Sequence, residues 1–291
     1  MSVRLSVMQA AMRKLMARAG ERETDLAEAR RRLDRMERLF RVPRGVSVAV
    51  EHVAGVPVRR YSSGAASAGT VLHLHGGAYM SGSSRIAARL ARVVAHDGPD
   101  LVSADYRLAP EDPYPAALDD ALAVYAALST QPVVVCGESA GGGLALALVQ
   151  RVRDEGLPMP RGVAALFPWA DLTQSGASYA ENAGYDLLSK DGLGGSAARY
   201  AGEHDPLTPG ISPLAGSFDG FPPTLLIVGT RDSLRDDARG VAVKLRDAGA
   251  SVELREVPDA FHGFTTLPVP EARAALDEIS QFLRRRLSTD S

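Results

Sequence analysis

Downstream of Pro43 the chain alternates between short apolar runs and stripes of apolar residues at helical spacing. Residues 46–53 and 58–62 read as strands, and residues 70–75 are a β-rich run that ends in Gly-Gly. Residues 101–106, 133–136, 163–167, 224–228 and 252–257 are further runs, and residues 133–136 are a continuous apolar run, as buried parallel strands are. Between them Ile86, Ala87, Leu90, Ala91 and Val94 mark a helix, and residues 118–128, 144–152, 234–248 and 271–287 mark others. Strands alternating with helices predict an α/β fold, a mostly parallel central sheet with helices on both faces. Residues 170–215 break the rhythm with Gly, Ser, Asp and three prolines and read as an excursion out of the sheet. Before Pro43, the spacing of Leu26, Ala29, Leu33, Met36 and Phe40 predicts one amphipathic helix packed on the core.

Charge sharpens this division. The net charge of −2 conceals +6 over residues 1–45 and −8 over the rest, so the boundary near residue 45 separates a basic helical segment from a larger acidic α/β unit. No global field favours nucleic acid, and none is expected as a partner. With 45% apolar residues among 291, the core needs no metal or disulfide staple, and the single cysteine, Cys136, permits no internal disulfide. No run reaches the ~18 apolar residues of a membrane span, and charged residues interrupt the N-terminal stretch, so a cytoplasmic protein without membrane insertion is expected.

Candidate chemistry lies at the predicted strand ends. Gly137-Glu138-Ser139-Ala140-Gly141 is G-x-S-x-G between a strand and a helix, the context of a nucleophile elbow, although a Gly-rich turn with a bland serine has the same pattern. His73-Leu74-His75-Gly76-Gly77-Ala78 ends another strand, and its Gly-Gly turn can aim the amides of Gly76 and Gly77 at one oxygen, with Ala140 N–H beside the nucleophile completing an oxyanion hole. His73 and His75 have no evident third ligand nearby, so no metal is expected. Of the other histidines, His52 and His96 lie early and His204 in the excursion, whereas His262 follows the last strand. Asp232 follows the strand over residues 224–228, with Asp236 and Asp237 as rivals in the next helix and a helix N-cap as its own alternative role.

The sequence resembles the bacterial hormone-sensitive-lipase-like branch of the α/β-hydrolases over residues 46–287. The resemblance rests on His75-Gly76-Gly77-Ala78 for the HGGG motif, Asp105-Tyr106-Arg107-Leu108-Ala109-Pro110-Glu111 with Tyr114-Pro115-Ala116-Ala117, and Gly137-Glu138-Ser139-Ala140-Gly141-Gly142 for the elbow. Gly229-Thr230-Arg231-Asp232 and His262-Gly263-Phe264 complete it. It implies the α/β-hydrolase fold with a small helical cap, built from residues 1–45 and an insertion at about 170–215 in a catalytic domain over 46–291. It also implies Ser139 as nucleophile, Asp232 as orienting acid, His262 as base, and Gly77, Ala78 and Ala140 as oxyanion donors. Ala78 departs from the usual third glycine, and a positive φ there would strain the turn by roughly 1–2 kcal/mol. Asp105, Tyr106, Arg107 and Glu111 are expected to brace the oxyanion loop, and Glu138 to be structural.

The activity so implied is that of a cofactor-free serine esterase acting on small-molecule esters with short or medium acyl chains. A deacetylase, amidase or lactone hydrolase of a secondary metabolite, and a non-catalytic binding member of the fold, are the alternatives. The final helix is a candidate homodimer surface.

Overall fold

The computed structural model describes residues 5–12, 25–64, 69–95 and 98–288. Eight strands form one sheet: β1 (Ser47–Val53), β2 (Val56–Ser62), β3 (Thr70–Leu74), β4 (Asp100–Ala104), β5 (Val133–Glu138), β6 (Gly162–Leu166), β7 (Thr224–Gly229) and β8 (Val252–Val257). Their order is β1-β2-β4-β3-β5-β6-β7-β8, with β2 antiparallel to β1 and to β4 and every other pair parallel. The sequence expectation of a mostly parallel sheet holds, and each predicted strand is present within a few residues of its expected bounds.

Side chains alternate across the sheet as the two-residue period requires. Leu72, Leu74, Val133 and Val135 enter one core, with Leu118 and Val124 of α3 (Ala116–Leu128), Leu144 and Leu148 of α4 (Ala140–Asp154) and Val241 and Leu245 of α7 (Arg235–Asp247). Val71, Val134 and Cys136 enter the other, with Leu90 and Val94 of α2 (Ala88–Val94) and Ile279 and Phe282 of α8 (Pro270–Leu287). Each fully buried Val, Leu, Ile or Phe contributes roughly 1.5–3 kcal/mol, so both layers lock the strands from β3 to β8 in register. Because those strands are parallel, the loops leaving β3, β5, β7 and β8 emerge along one edge, where His75–Ala78, Ser139, Asp232 and His262 lie.

Two predicted elements differ from expectation. Helix α4 begins at Ala140 rather than near residue 144, because its glycines pack closely against neighbouring backbone and tertiary contact overrides their poor helix propensity. Helix α1 (Leu26–Glu37) stops three residues before Phe40, and Met36 of the expected apolar stripe is 53% exposed. Its docking is mainly polar. The Arg30 guanidinium donates to Met80 O (2.7 Å) and Ala109 O (2.8 Å) and forms a two-pronged ion pair with Glu111. Glu37, 2% exposed, accepts from the Ser83 hydroxyl at 2.5 Å. Residues 1–4 and 13–24 of the expected N-terminal segment lie outside the described residues. The excursion carries α5 (Ser178–Glu181) and α6 (Lys190–Ala201). Among the described residues no helix is long and apolar enough to cross a membrane.

Burial pushes the Glu37 carboxyl up from 4.5 to about 7, with Asp34 and Glu138 adding to the rise and the Ser83 bonds opposing it. Between those two values the folded chain holds a proton that the unfolded chain has released, so this residue makes stability fall as pH rises through that window. Glu37→Gln should therefore raise the melting temperature at pH 8 and leave it nearly unchanged at pH 5. An equal change at both pH values would contradict the assignment.

Candidate active site

The nucleophile position is built by close backbone contact. Ser139 sits between β5 and α4 at φ +57°, ψ −123°, a conformation rare for a residue with a side chain. Its N–H donates to Leu166 O (2.9 Å), and its carbonyl accepts from Gly143 N (3.0 Å) and Trp169 N (2.9 Å), so neighbouring backbone over-determines the turn. A Cβ on Gly137 would stand 2.2 Å from Gly141 O, and one on Gly141 would stand 2.1 Å from Leu74 O and 2.4 Å from His75 O. Both flanking glycines of the motif are thus steric requirements, because α4 passes directly under the end of β3.

Two other loops meet the serine. His262 Nε2 lies 2.9 Å from Ser139 Oγ, and its Nδ1 lies 3.1 and 3.2 Å from the two oxygens of Asp232. A carboxylate only accepts, so the imidazole proton resides on Nδ1 and Nε2 accepts the serine hydroxyl. Asp232 is fully buried and its Oδ1 also accepts from Leu234 N at 2.8 Å, a bond within the turn that leads into α7, whose N-cap is Leu234 and not Asp232. Burial pushes its carboxyl up, Asp186 adds to this, and His262 and the Leu234 amide oppose it. Burial alone would lower the His262 pKa, but Asp232, Asp186 and Glu138 together outweigh it and raise it above its ordinary value. The Phe167 ring stands edge-on to the imidazole, centroids 4.8 Å apart, and fixes its plane.

The rival residues are elsewhere. Asp236 accepts from Ser178 N, while Asp237 accepts from Ala170 N, Asp171 N and the Tyr179 hydroxyl. His52 lies in β1, His204 packs edge-on against Tyr114 in the excursion, and His96 lies outside the described residues. His73 is held between the Ser103 hydroxyl (2.8 Å) and Glu138 (2.7 Å). His75 donates from Nδ1 to Gly76 O and stacks on Tyr106, centroids 4.2 Å apart, with burial lowering its pKa.

That network changes the expected oxyanion loop. Gly76 N–H donates to Glu138 Oε1 at 2.9 Å, so Gly76, included above as an oxyanion donor, has its amide committed. No described residue accepts from Gly77 N–H or Ala78 N–H, and Ala140 N–H opens α4, where no helical carbonyl can reach it. Gly77, Ala78 and Ala140 thus keep amides that are not committed to another described residue. Met80 N donates to Gly77 O (3.0 Å) across a turn whose central residues, Ala78 and Tyr79, have φ of +55° and +61°. This is the turn class that favours Gly or Asn at both positions. Face-on stacking of Tyr79 on Tyr200 of α6, centroids 3.7 Å apart, helps to hold it.

Of the residues expected to brace this loop, two do so. Asp105 accepts from Ser84 N (2.6 Å) and Ser84 Oγ (2.7 Å), and the Tyr106 hydroxyl donates to His75 O (2.5 Å). Arg107 instead forms an ion pair with Asp120 of α3, and Glu111 anchors Arg30. Residues that sequence reasoning missed are Asp186, whose Oδ1 accepts from His262 N (2.9 Å) and whose Oδ2 accepts from Ser233 N (2.7 Å), and Asn182, which donates to Asp232 O (2.8 Å). Cys136 is buried in β5 and burial pushes its thiol up, in keeping with packing.

Comparison with known proteins gives the same fold and places the chain among hydrolases. Residues 71–266 match a family described by its alpha/beta hydrolase fold. The chain is 38% identical over 252 residues to an acetyl-hydrolase of Streptomyces hygroscopicus, a match covering 84% of this chain and 83% of that one. A crystal structure of an esterase from the bacterial hormone-sensitive lipase family superimposes with a TM-score of 0.90 at 31% identity, covering 99% of both chains. A second, of EstE5 soaked with p-nitrophenyl butyrate, gives 0.86 at 30% identity over 96% of this chain and 98% of that one.

The positive φ at Ala78 gives a stability prediction. Ala78→Gly should remove the left-handed strain while adding freedom to the unfolded chain, for a net gain of roughly 0.5–1 kcal/mol. Chemical denaturation measures it, and a variant no more stable than the parent would show that the turn carries no strain at this residue.

Proposed function

The chain belongs to the bacterial hormone-sensitive-lipase family of α/β-hydrolases and is an enzyme, a carboxylic ester hydrolase; from that premise we propose that Ser139, His262 and Asp232 carry its chemistry, with Gly77, Ala78 and Ala140 as oxyanion donors. The observation that carries this reading is the unbroken hydrogen-bond line from Ser139 Oγ through His262 to the buried Asp232, beside backbone amides that no described residue occupies.

Nε2 of His262 takes the serine proton as Oγ attacks the acyl carbon, and the carbonyl electrons move onto oxygen. The amides meet that oxyanion, and one well-placed donor of this kind typically lowers the barrier by ~3–4 kcal/mol. The imidazolium, its Nδ1–H held by Asp232, returns the proton to the departing alkoxide and leaves an acyl-serine. Water then repeats the sequence, losing its proton to Nε2 and releasing the acid. No step calls on a group other than these residues.

The preferred acyl chain is proposed to be short. The acetyl-hydrolase relative and the butyrate ester soaked into EstE5 both involve small acyl groups, and α1 and the excursion, which we read as a small cap, contact the oxyanion loop through Arg30 and Tyr200.

Ser139→Ala should reduce hydrolysis of p-nitrophenyl acetate and butyrate at least ~10⁴-fold and abolish labelling by a fluorophosphonate probe. Retained turnover or labelling would refute Ser139 as nucleophile. Across p-nitrophenyl esters of two to sixteen carbons, kcat/KM should peak at eight or fewer, whereas a maximum at the longest chains would indicate a lipase. Because His262 must be neutral to accept a proton and its pKa is raised, kcat/KM should fall tenfold per pH unit on an acid limb lying above the ordinary imidazole value of ~6.5. A flat profile from pH 5 to 8 would exclude a histidine base.

A further inference from the structure

We propose that Asp186 is a positioning residue of the catalytic triad, a buried carboxylate that clamps the loop carrying Asp232 to the loop carrying His262. The proposal rests on the serine-esterase reading above. Asp186 lies in the excursion between α5 and α6 and is 5% exposed. Its Oδ1 accepts the amide N–H of His262 itself at 2.9 Å, and its Oδ2 accepts the amide N–H of Ser233, the residue after Asp232, at 2.7 Å. One carboxylate therefore spans the two loops at their catalytic ends, one oxygen to each. The clamp is in turn anchored. Asp186 N–H donates to Asn182 O (2.8 Å), and the Asn182 side chain donates to Asp232 O (2.8 Å), so Asn182 and Asp186 grip the acid loop together.

Other bonds between the two loops, from Arg231 N to Ala260 O and from Asp259 N to Thr230 Oγ1, lie nearer the strand ends. They bring the loops together but do not touch the residues that react. The Asp186 bonds set the backbone from which the imidazole and the carboxylate project, and a misplacement of ~1 Å there can cost ~10²-fold in rate.

The charge of Asp186 distinguishes this role from simple loop fastening. An uncharged acceptor could fasten two amides without placing a second acid beside the fully buried Asp232. Three acids face His262: Asp232 from the loop after β7, Asp186 from the excursion, and Glu138 from the end of β5. Asp186 and Glu138 thus assist Asp232 in stabilising the imidazolium that forms as Ser139 attacks.

Asp186→Asn and Asp186→Glu in the full chain test this. Ester turnover by the parent and its loss in Ser139→Ala are measured first, so a failure of the serine-esterase reading is seen separately. Asp186→Asn keeps the size and loses the charge. Its kcat should fall at least tenfold with KM within twofold, and the acid limb of kcat/KM should move to lower pH, because one negative charge favouring protonated His262 is gone. Asp186→Glu keeps the charge but displaces the oxygens, so kcat should fall while the acid limb stays at the parent pH. A kcat within twofold of the parent in Asp186→Asn would overturn the proposal. So would a lowered kcat with an unmoved acid limb, since that is the behaviour of a fastening alone. Should Asp186→Asn fail to fold, Asp186→Glu decides, and parent-like kcat in that variant overturns the clamp.

Discussion

The site depends on how closely α4 passes beneath the ends of β3 and β5. Gly141 lies where a methyl group would stand 2.1 Å from Leu74 O, and Gly137 where one would stand 2.2 Å from Gly141 O. That approach forces the chain to reverse within one residue, so Ser139 takes a positive φ and projects its hydroxyl from the sheet edge. It also brings the start of α4 against Leu74 O and His75 O at the head of the loop after β3, the proximity on which the proposed pairing of Ala140 N–H with the amides of Gly77 and Ala78 rests. The positive-φ conformation at Ser139 is unfavourable by about 1–3 kcal/mol, small against the packing of two apolar layers that hold β3, β5 and α4 in place.

Charge is distributed around this turn with a consistent sense. Glu138, buried beside the nucleophile, is held below its ordinary pKa by His73 and the Gly76 amide against the effect of burial. It fixes the first glycine of the loop after β3 by accepting its N–H. The same carboxylate, with Asp232 and Asp186, acts on the imidazole of His262, and in the proposed mechanism the free N–H groups meet the oxyanion. Positive and negative charge formed in one step thus meet opposite, already oriented partners, so little reorganisation is needed as the reaction proceeds.

What was legible in the sequence follows from the range of the interactions concerned. The elements were legible because two-residue and 3.6-residue apolar periods are local. Ser139, Asp232 and His262 were legible because each follows a strand in a parallel sheet, and chain order alone puts such loops on one edge. The committed amide of Gly76 was not, since its acceptor Glu138 lies 62 residues away and turn chemistry says nothing of it. Asp186 was hidden for the same reason: its partners Ser233 and His262 are 47 and 76 residues distant, and the segment around it has no periodicity from which to infer a facing. The apolar stripe of the N-terminal segment does face the cores through Leu26 of α1 and Phe40 beyond it, but Met36 is exposed and the polar part of the docking was not legible, because long side chains such as Arg30 and Glu37 reach backbone and hydroxyl partners that an apolar stripe does not reveal.

These hidden contacts belong to one pattern. The residues outside the sheet hold its loops: α1 reaches the oxyanion-loop side, and the excursion reaches that side and the acid and histidine loops. From the N-terminal side, Arg30 and Glu37 of α1 bind Met80 O and Ser83, the far end of the oxyanion loop. From the excursion, Tyr200 stacks on Tyr79 of that loop, while Asn182 and Asp186 grip the acid and histidine loops. Gln9, in the helical stretch at residues 5–12, donates to Tyr185 O, the residue before Asp186, so the two segments also touch each other there. A change in either segment that altered substrate fit would therefore also move catalytic backbone. On the proposed reading of the two segments as a cap, substitutions in them should change kcat as often as they change KM.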